Sequence, residues 1–125
     1  PMGAIPAPSG RGEGLVVVGS RTYYSTIGTI HELQSSTGAP ISSFPAPEGE
    51  CRSLTYGRGY LFSGDSKDGK ITVFNRFTHA VRGVINAPGA GNRQAEGLAF
   101  DSRRRILYVA NQSENMIYAL RVSGI

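Results

Sequence analysis

Two glutamates stand in the same local phrase. Glu13 and Glu96 each directly precede a Gly-Leu pair, Gly14-Leu15 and Gly97-Leu98, and Arg52 holds the matching place before Ser53-Leu54. Carboxylates that recur in phase can gather around one hard cation. Calcium requires several oxygen ligands at about 2.3–2.6 Å. Asp65 and Asn111, each placed just after a second-strand pattern, could add two more oxygens. The metal set is therefore Glu13, Glu96, Asp65 and Asn111, with Arg52 bringing a positive charge into it. Without a cation, the same side chains would cap turns and bridge to neighbouring arginines. Both readings stay open at this stage.

Other chemistry is weaker. Asp65-Ser66-Lys67-Asp68-Gly69 starts like an EF-hand loop, but Arg76 occupies the twelfth position, where a bidentate glutamate is required. Asp68-Gly69 reads better as a hairpin turn. The phrase Gly10-Arg11-Gly12-Glu13-Gly14 precedes a strand pattern, whereas a phosphate loop needs a helix N-terminus. His31 falls in a strand pattern and His79 in a turn, and no Ser–His–Asp spacing joins them. Cys51 is the single cysteine and lies beside Arg52, a cation that would favour its thiolate, although a plain loop cysteine fits as well. Arg103-Arg104-Arg105 is a basic patch in a turn. It is either a solvated turn that keeps an edge soluble or a surface for phosphate-rich partners, and no stacking aromatics are interleaved with it. No catalytic residue can be named.

The elements that must position these residues are short strands. The chain has 125 residues, 17 of them glycine and 7 proline, and no sustained 3.6-residue apolar pattern. No apolar stretch approaches the ~20 residues of a membrane helix, and the first residues lack a signal-peptide pattern, so a cytoplasmic setting without a membrane is the default. Three anchors recur in order. An apolar-x-Ala-Pro phrase appears at Ile5-Pro6-Ala7-Pro8, Phe44-Pro45-Ala46-Pro47 and Ile85-Asn86-Ala87-Pro88. Each precedes a glycine-containing loop and a strand opening at Leu15, Leu54 or Leu98. Second strands follow at Thr22-Tyr23-Tyr24-Ser25, Tyr60-Leu61-Phe62-Ser63 and Ile106-Leu107-Tyr108-Val109, and third strands centre on Ile30, Ile71 and Ile117. Those isoleucines lie 41 and then 46 positions apart. Fourth strands run from Ile41 to Phe44 and from Val81 to Ile85. Four strands in 40-odd residues is the period of a propeller blade. A β-sandwich with strands alike by chance is the competing reading.

Gly97-Leu98-Ala99-Phe100-Asp101, Leu107-Tyr108-Val109-Ala110-Asn111 and Asn115-Met116-Ile117-Tyr118-Ala119-Leu120 resemble blades of the NHL, YWTD and YVTN propeller repeats. The middle copy, from Leu61 to Phe74, fits the NHL phrasing better, and the first departs most, lacking Asp or Asn after Ser25. The resemblance implies an all-β chain of three four-stranded antiparallel blades, with repeats over 6–46, 47–87 and 88–125. Residues 1–5 would be the fourth strand that completes a last blade. It further implies that Glu13, Arg52, Asp65, Glu96 and Asn111 stand at the mouth of a central channel, on the loop face where relatives bind ligands. That face carries seven acidic and five basic residues, and the remainder two acidic and eight basic. Glu13 and Glu96 are also similar to the calcium site of gluconolactonase-like hydrolases, which Arg52 disturbs.

Three blades are too few to close a ring, so the expectation is a homodimer with six blades, each N-terminal strand completing the partner's final blade. A longer chain with further repeats is the alternative. Repeats supply a rigid surface without chemistry, which favours a binding or scaffolding module for a protein or small-molecule ligand over an enzyme. A calcium-dependent hydrolase or lactonase is the runner-up. A carbohydrate- or nucleic-acid-binding module comes third.

Overall fold

Apolar residues on both faces of a strand require cover on both sides, and Leu15-Val16-Val17-Val18 has them. The same two-sided pattern recurs in the second and third repeats. In the computed structural model, which describes residues 3–5, 7–8, 13–46, 51–65, 68–91 and 93–125, these runs form eleven strands and no helix. Met2, Pro6, Arg11, Glu48, Glu50, Lys67 and the side chain of Cys51 lie outside what is described.

The first sheet has β1 (Gly14–Val18), β2 (Arg21–Thr26), β3 (Thr29–Gln34) and β4 (Pro40–Pro45) in that order. The second has β5 (Cys51–Gly57), β6 (Tyr60–Asp65), β7 (Lys70–Asn75) and β8 (Val81–Asn86). The third holds β9 (Gly97–Asp101), β10 (Ile106–Asn111) and β11 (Met116–Arg121). All pairings are antiparallel between chain neighbours, as short hairpin connections demand. The third sheet has only three strands among the described residues, and residues 3–5 form no strand in the single chain.

Turn chemistry sets the register. Arg58 and Gly59 both take positive φ, 54° and 87°, the two-residue turn whose twist matches flanking strands. It pairs Gly57 with Tyr60, as Gly19-Ser20 pairs Val18 with Arg21. The second strands therefore correspond as Arg21–Thr26, Tyr60–Asp65 and Ile106–Asn111. This corrects the alignment of Thr22 with Tyr60 by one place. Tyr23 matches Phe62 and Tyr108, and Thr26 fills the position of Asp65 and Asn111.

The sheets stack as blades, with β1, β5 and β9 side by side as the innermost strands. Between the first two blades, Tyr23, Ile30 and Phe44 meet Leu54, Leu61 and Phe74. Between the second and third, Phe62, Ile71 and Val73 meet Leu107 and Val109. Phe62 stacks on Phe100 at 4.9 Å between ring centres, within the range of favourable aromatic pairs. Tyr24 and Tyr108 do not share this role. They stand half-buried on the two end faces, which no blade of this chain covers.

Close approach explains Gly64. A methyl group there would lie against Ser53 Oγ, 3.1 Å from Ala95 O and 3.2 Å from Leu98 Cδ1. Gly64→Val is expected to destabilise the chain by about 1–3 kcal/mol through overpacking. Gly83, with nothing within 4 Å, should accept alanine with a change of about 0.5 kcal/mol or less. Urea denaturation of the two variants tests the blade contact.

Candidate functional site

The inner strands bring three charged residues to one end of the stack. Glu13 N donates to Ser25 O and Glu96 N to Ala110 O, both at 3.1 Å, so the two glutamates occupy equivalent backbone positions in the first and third blades. Arg52 sits between them in the middle blade. Its register slips there, with Cys51 opposite Asp65 and Ser53 opposite Gly64, leaving Arg52 in a bulge. Bulges re-aim a side chain, and Arg52 Nη1 lies 3.7 Å from Glu13 Oε1. On the other flank, Arg93 Nε stands 3.9 Å from Glu96 Oε1, a buried oxygen that accepts no hydrogen bond from the described residues. Ser53 Oγ donates to Ala95 O at 3.0 Å and ties the middle blade to the loop carrying Glu96. The result is a partly exposed row of negative, positive and negative charge. Ion pairs of this exposure contribute little stability, about 0–1 kcal/mol each.

Asp65 and Asn111 are buried and belong to the hairpins that follow their strands. Asp65 Oδ1 accepts from Asp68 N at 3.3 Å. Asn111 Oδ1 accepts from Glu114 N at 3.0 Å, while its amide donates to Glu114 Oε1 at 3.0 Å and Ala90 O at 3.2 Å. Tyr118 OH also donates to Glu114 Oε1, at 2.6 Å, and that bond raises the phenol above its ordinary value. Thr26, at the equivalent place, shares a hydrogen bond with His31 Nε2 at 3.0 Å. Among the described residues, no group of three or more His, Cys, Asp or Glu side chains could hold a metal ion. Glu13, Glu96 and Asp65 thus form no such group among the described residues, and Asn111 is engaged within its own hairpin.

The basic side is largely occupied with structure. Arg21 pairs with Glu32 at 3.2 Å, and His79 Nε2 lies 3.7 Å from the same carboxylate while its ring stacks on Phe44. Arg76 Nε donates to Tyr23 OH at 3.0 Å and lies over Phe77 at 4.7 Å. Burial, only partly opposed by Arg76, raises the Tyr23 phenol above its ordinary value. Arg58 and Arg82 hold the carbonyls of Ile125 and Gly124. Arg103, Arg104 and Arg105 form an exposed turn in which Asp101 Oδ1 accepts the Arg103 and Arg104 N–H groups at 3.1 Å and Arg105 takes φ 57°. Sequence reading missed the part played by Glu114 and Tyr118. The only available signal was their spacing of three and seven residues after Asn111.

No protein-family model matches the sequence, and no curated protein matches it significantly. Solved structures do. Glutaminyl cyclase of Myxococcus xanthus superposes with a TM-score of 0.74 at 17% identity, over 91% of this chain and 56% of the other. The Myceliophteria thermophila Cps50 (Swd1) beta-propeller domain gives 0.72 at 12% identity, over 94% and 38%. A chain of the mitotic checkpoint complex gives 0.71 at 17% identity, over 90% and 36%. The fold is a β-propeller. At these identities the likeness extends to architecture alone. The chain spans between 36% and 56% of the length of those three structures. The β-sandwich reading falls, because inner strands lie beside inner strands from one propeller blade to the next.

Asn111 tests the hairpin assignment. Its amide faces a carboxylate and a carbonyl, so Asn111→Asp would set two carboxylates about 3 Å apart and leave Ala90 O without its donor. The variant is expected to melt several degrees lower at neutral pH. Part of the loss should return as acid supplies a shared proton. Thermal melts at pH 7 and near pH 4, compared with the parent chain, provide the check.

Proposed function

We propose that this propeller arc is a binding and scaffolding module whose recognition surface is the loop face around the inner strand ends. The supporting observation is the row Glu13, Arg52 and Glu96. Three successive blades each open their innermost strand with a charged residue, of alternating sign, and a bulge turns the central one toward its neighbour. Side chains so placed would line the mouth of the channel in a complete ring. A row of alternating charge fits a partner that presents both signs, such as a peptide segment carrying a carboxylate for Arg52 and a cation for the glutamates. The rigid blade stack holds this row without conformational change, which reduces the ordering cost of binding.

The test is a titration with charged oligopeptides of alternating and uniform sign, followed by amide chemical shifts. Binding of alternating peptides should perturb residues 13–15, 52–54 and 96–98. It should weaken roughly tenfold in Arg52→Gln, as expected for one charged contact. Shifts confined to 101–106, with a preference for phosphate-rich probes such as a short RNA, would move the recognition surface to the arginine turn and defeat the proposal.

The calcium-dependent hydrolase reading has a separate check. Asp65 and Asn111 are engaged in their own hairpins, and Arg52 lies against Glu13. Millimolar calcium is therefore expected to leave the melting temperature unchanged. A rise that disappears in the double variant Glu13→Gln, Glu96→Gln would reinstate a metal at the channel mouth.

A further inference from the structure

The two joints inside the arc follow one rule. The first blade meets the second with a cross-strand pair of small residues, Gly14 opposite Ser25. The second meets the third with another, Ser53 opposite Gly64. Into each comes the opening of the next inner strand, through the Ser53-Leu54 backbone at the first joint and the Leu98 side chain at the second. A methyl on Gly14 would lie 3.1 Å from Leu54 N, and one on Gly64 would lie 3.2 Å from Leu98 Cδ1.

The third blade carries the same pair, Gly97 opposite Ala110, on its uncovered face. A methyl on Gly97 would meet nothing within 4 Å except Ala110 Cβ. An open hollow of about 260 Å³ stands over the pair, lined also by Leu98, Ala99, Tyr108 and Ile117. At the other end of the arc, Leu15 is 63% exposed, although its counterpart Leu54 is 6% exposed. One end thus has a socket without a leucine, and the other a leucine without a socket.

The outer strands tell the same story. Ile30 and Ile71 are fully buried, each paired with an apolar residue of a fourth strand, Phe44 and Ile85. Their counterpart Ile117 is 73% exposed on β11, whose outer edge pairs with no described strand. The residue in phase with Phe44 and Ile85 is Ile5. Backbone bonds agree: Ala46 N donates to Gly28 O and Ala87 N to Gly69 O. The counterparts are Ala7 and Asn115, and Asn115 has the same positive φ as the two glycines.

We propose that a second copy of this chain closes the ring. Leu15 of each protomer seats in the Gly97–Ala110 socket of its partner. Residues 3–5 pair along the partner's β11, so that Ile5 covers Ile117 and Ala7 N–H reaches the Asn115 carbonyl. Two copies supply six blades, within the usual range of four to eight, whereas three would supply nine. The contact is the internal joint repeated, so the last blade of one protomer receives the first blade of the other as its own blades receive one another. This proposal does not depend on what the loop face binds.

The test uses the chain as it stands. Light scattering at tens of micromolar should give twice 13.3 kDa. Leu15→Arg and Ile117→Glu change exposed side chains, so each variant should keep the parent circular dichroism. Each should raise the dimer dissociation constant by at least about 100-fold. Mixing the two variants must then restore a dimer, because one joint of the mixed pair keeps both Leu15 and Ile117 and the other sets opposite charges together. A monomeric parent chain would overturn the proposal. So would a dimer indifferent to Leu15→Arg, a mixture that stays monomeric, or a mass of three or more copies. A monomer would leave the socket to further blades of a longer chain.

Discussion

Everything in this structure depends on the burial of one blade face against the next. A four-stranded sheet with apolar residues on both faces cannot satisfy them alone. Each buried leucine or phenylalanine contributes on the order of 1.5–3 kcal/mol only when a neighbour covers it. The middle blade meets this need twice, through Leu54, Leu61 and Phe74 on one side and Phe62, Ile71 and Val73 on the other. Hydrogen bonding is a second requirement but not the organiser. Every ladder lies within a blade, and the blades are joined chiefly by side chains.

The charged row at the inner strand ends follows from that packing. Small pairs such as Gly14–Ser25 and Ser53–Gly64 let inner strands approach closely. Close approach brings the residues just before them, Glu13, Arg52 and Glu96, into one row. The charged row is thus a by-product of how tightly the blades nest. The bulge at Arg52 then adjusts a single side chain without disturbing the joint.

Most of the fold was legible from repeats. The Ala-Pro phrase, the leucine and the isoleucine recur in order, and each marks a position that packing uses three times. The three strands that the third sheet shows among the described residues agree with the phase of the repeat. The second-strand register could not be read this way, because Thr22-Tyr23-Tyr24 offers two adjacent aromatics where neither other copy does, and only the turn at Gly19-Ser20 decides between them. The site was legible in part. Position placed Glu13, Arg52 and Glu96 together, whereas the burial of Asp65 and Asn111 in local turns depends on hairpin partners that differ between copies.

The two joints of the middle blade carry a consequence for motion. A blade clamped on both faces opens only when a joint on either side gives way, while an end blade loses protection when a single joint parts. Local opening energies in such a stack are graded. The amides of β6 and β7 are expected to exchange most slowly, and those on the open edge of β11 faster. Within a single chain, the blades therefore open from the ends inward, and proteolysis or misassembly would begin at the terminal sheets before the centre has loosened.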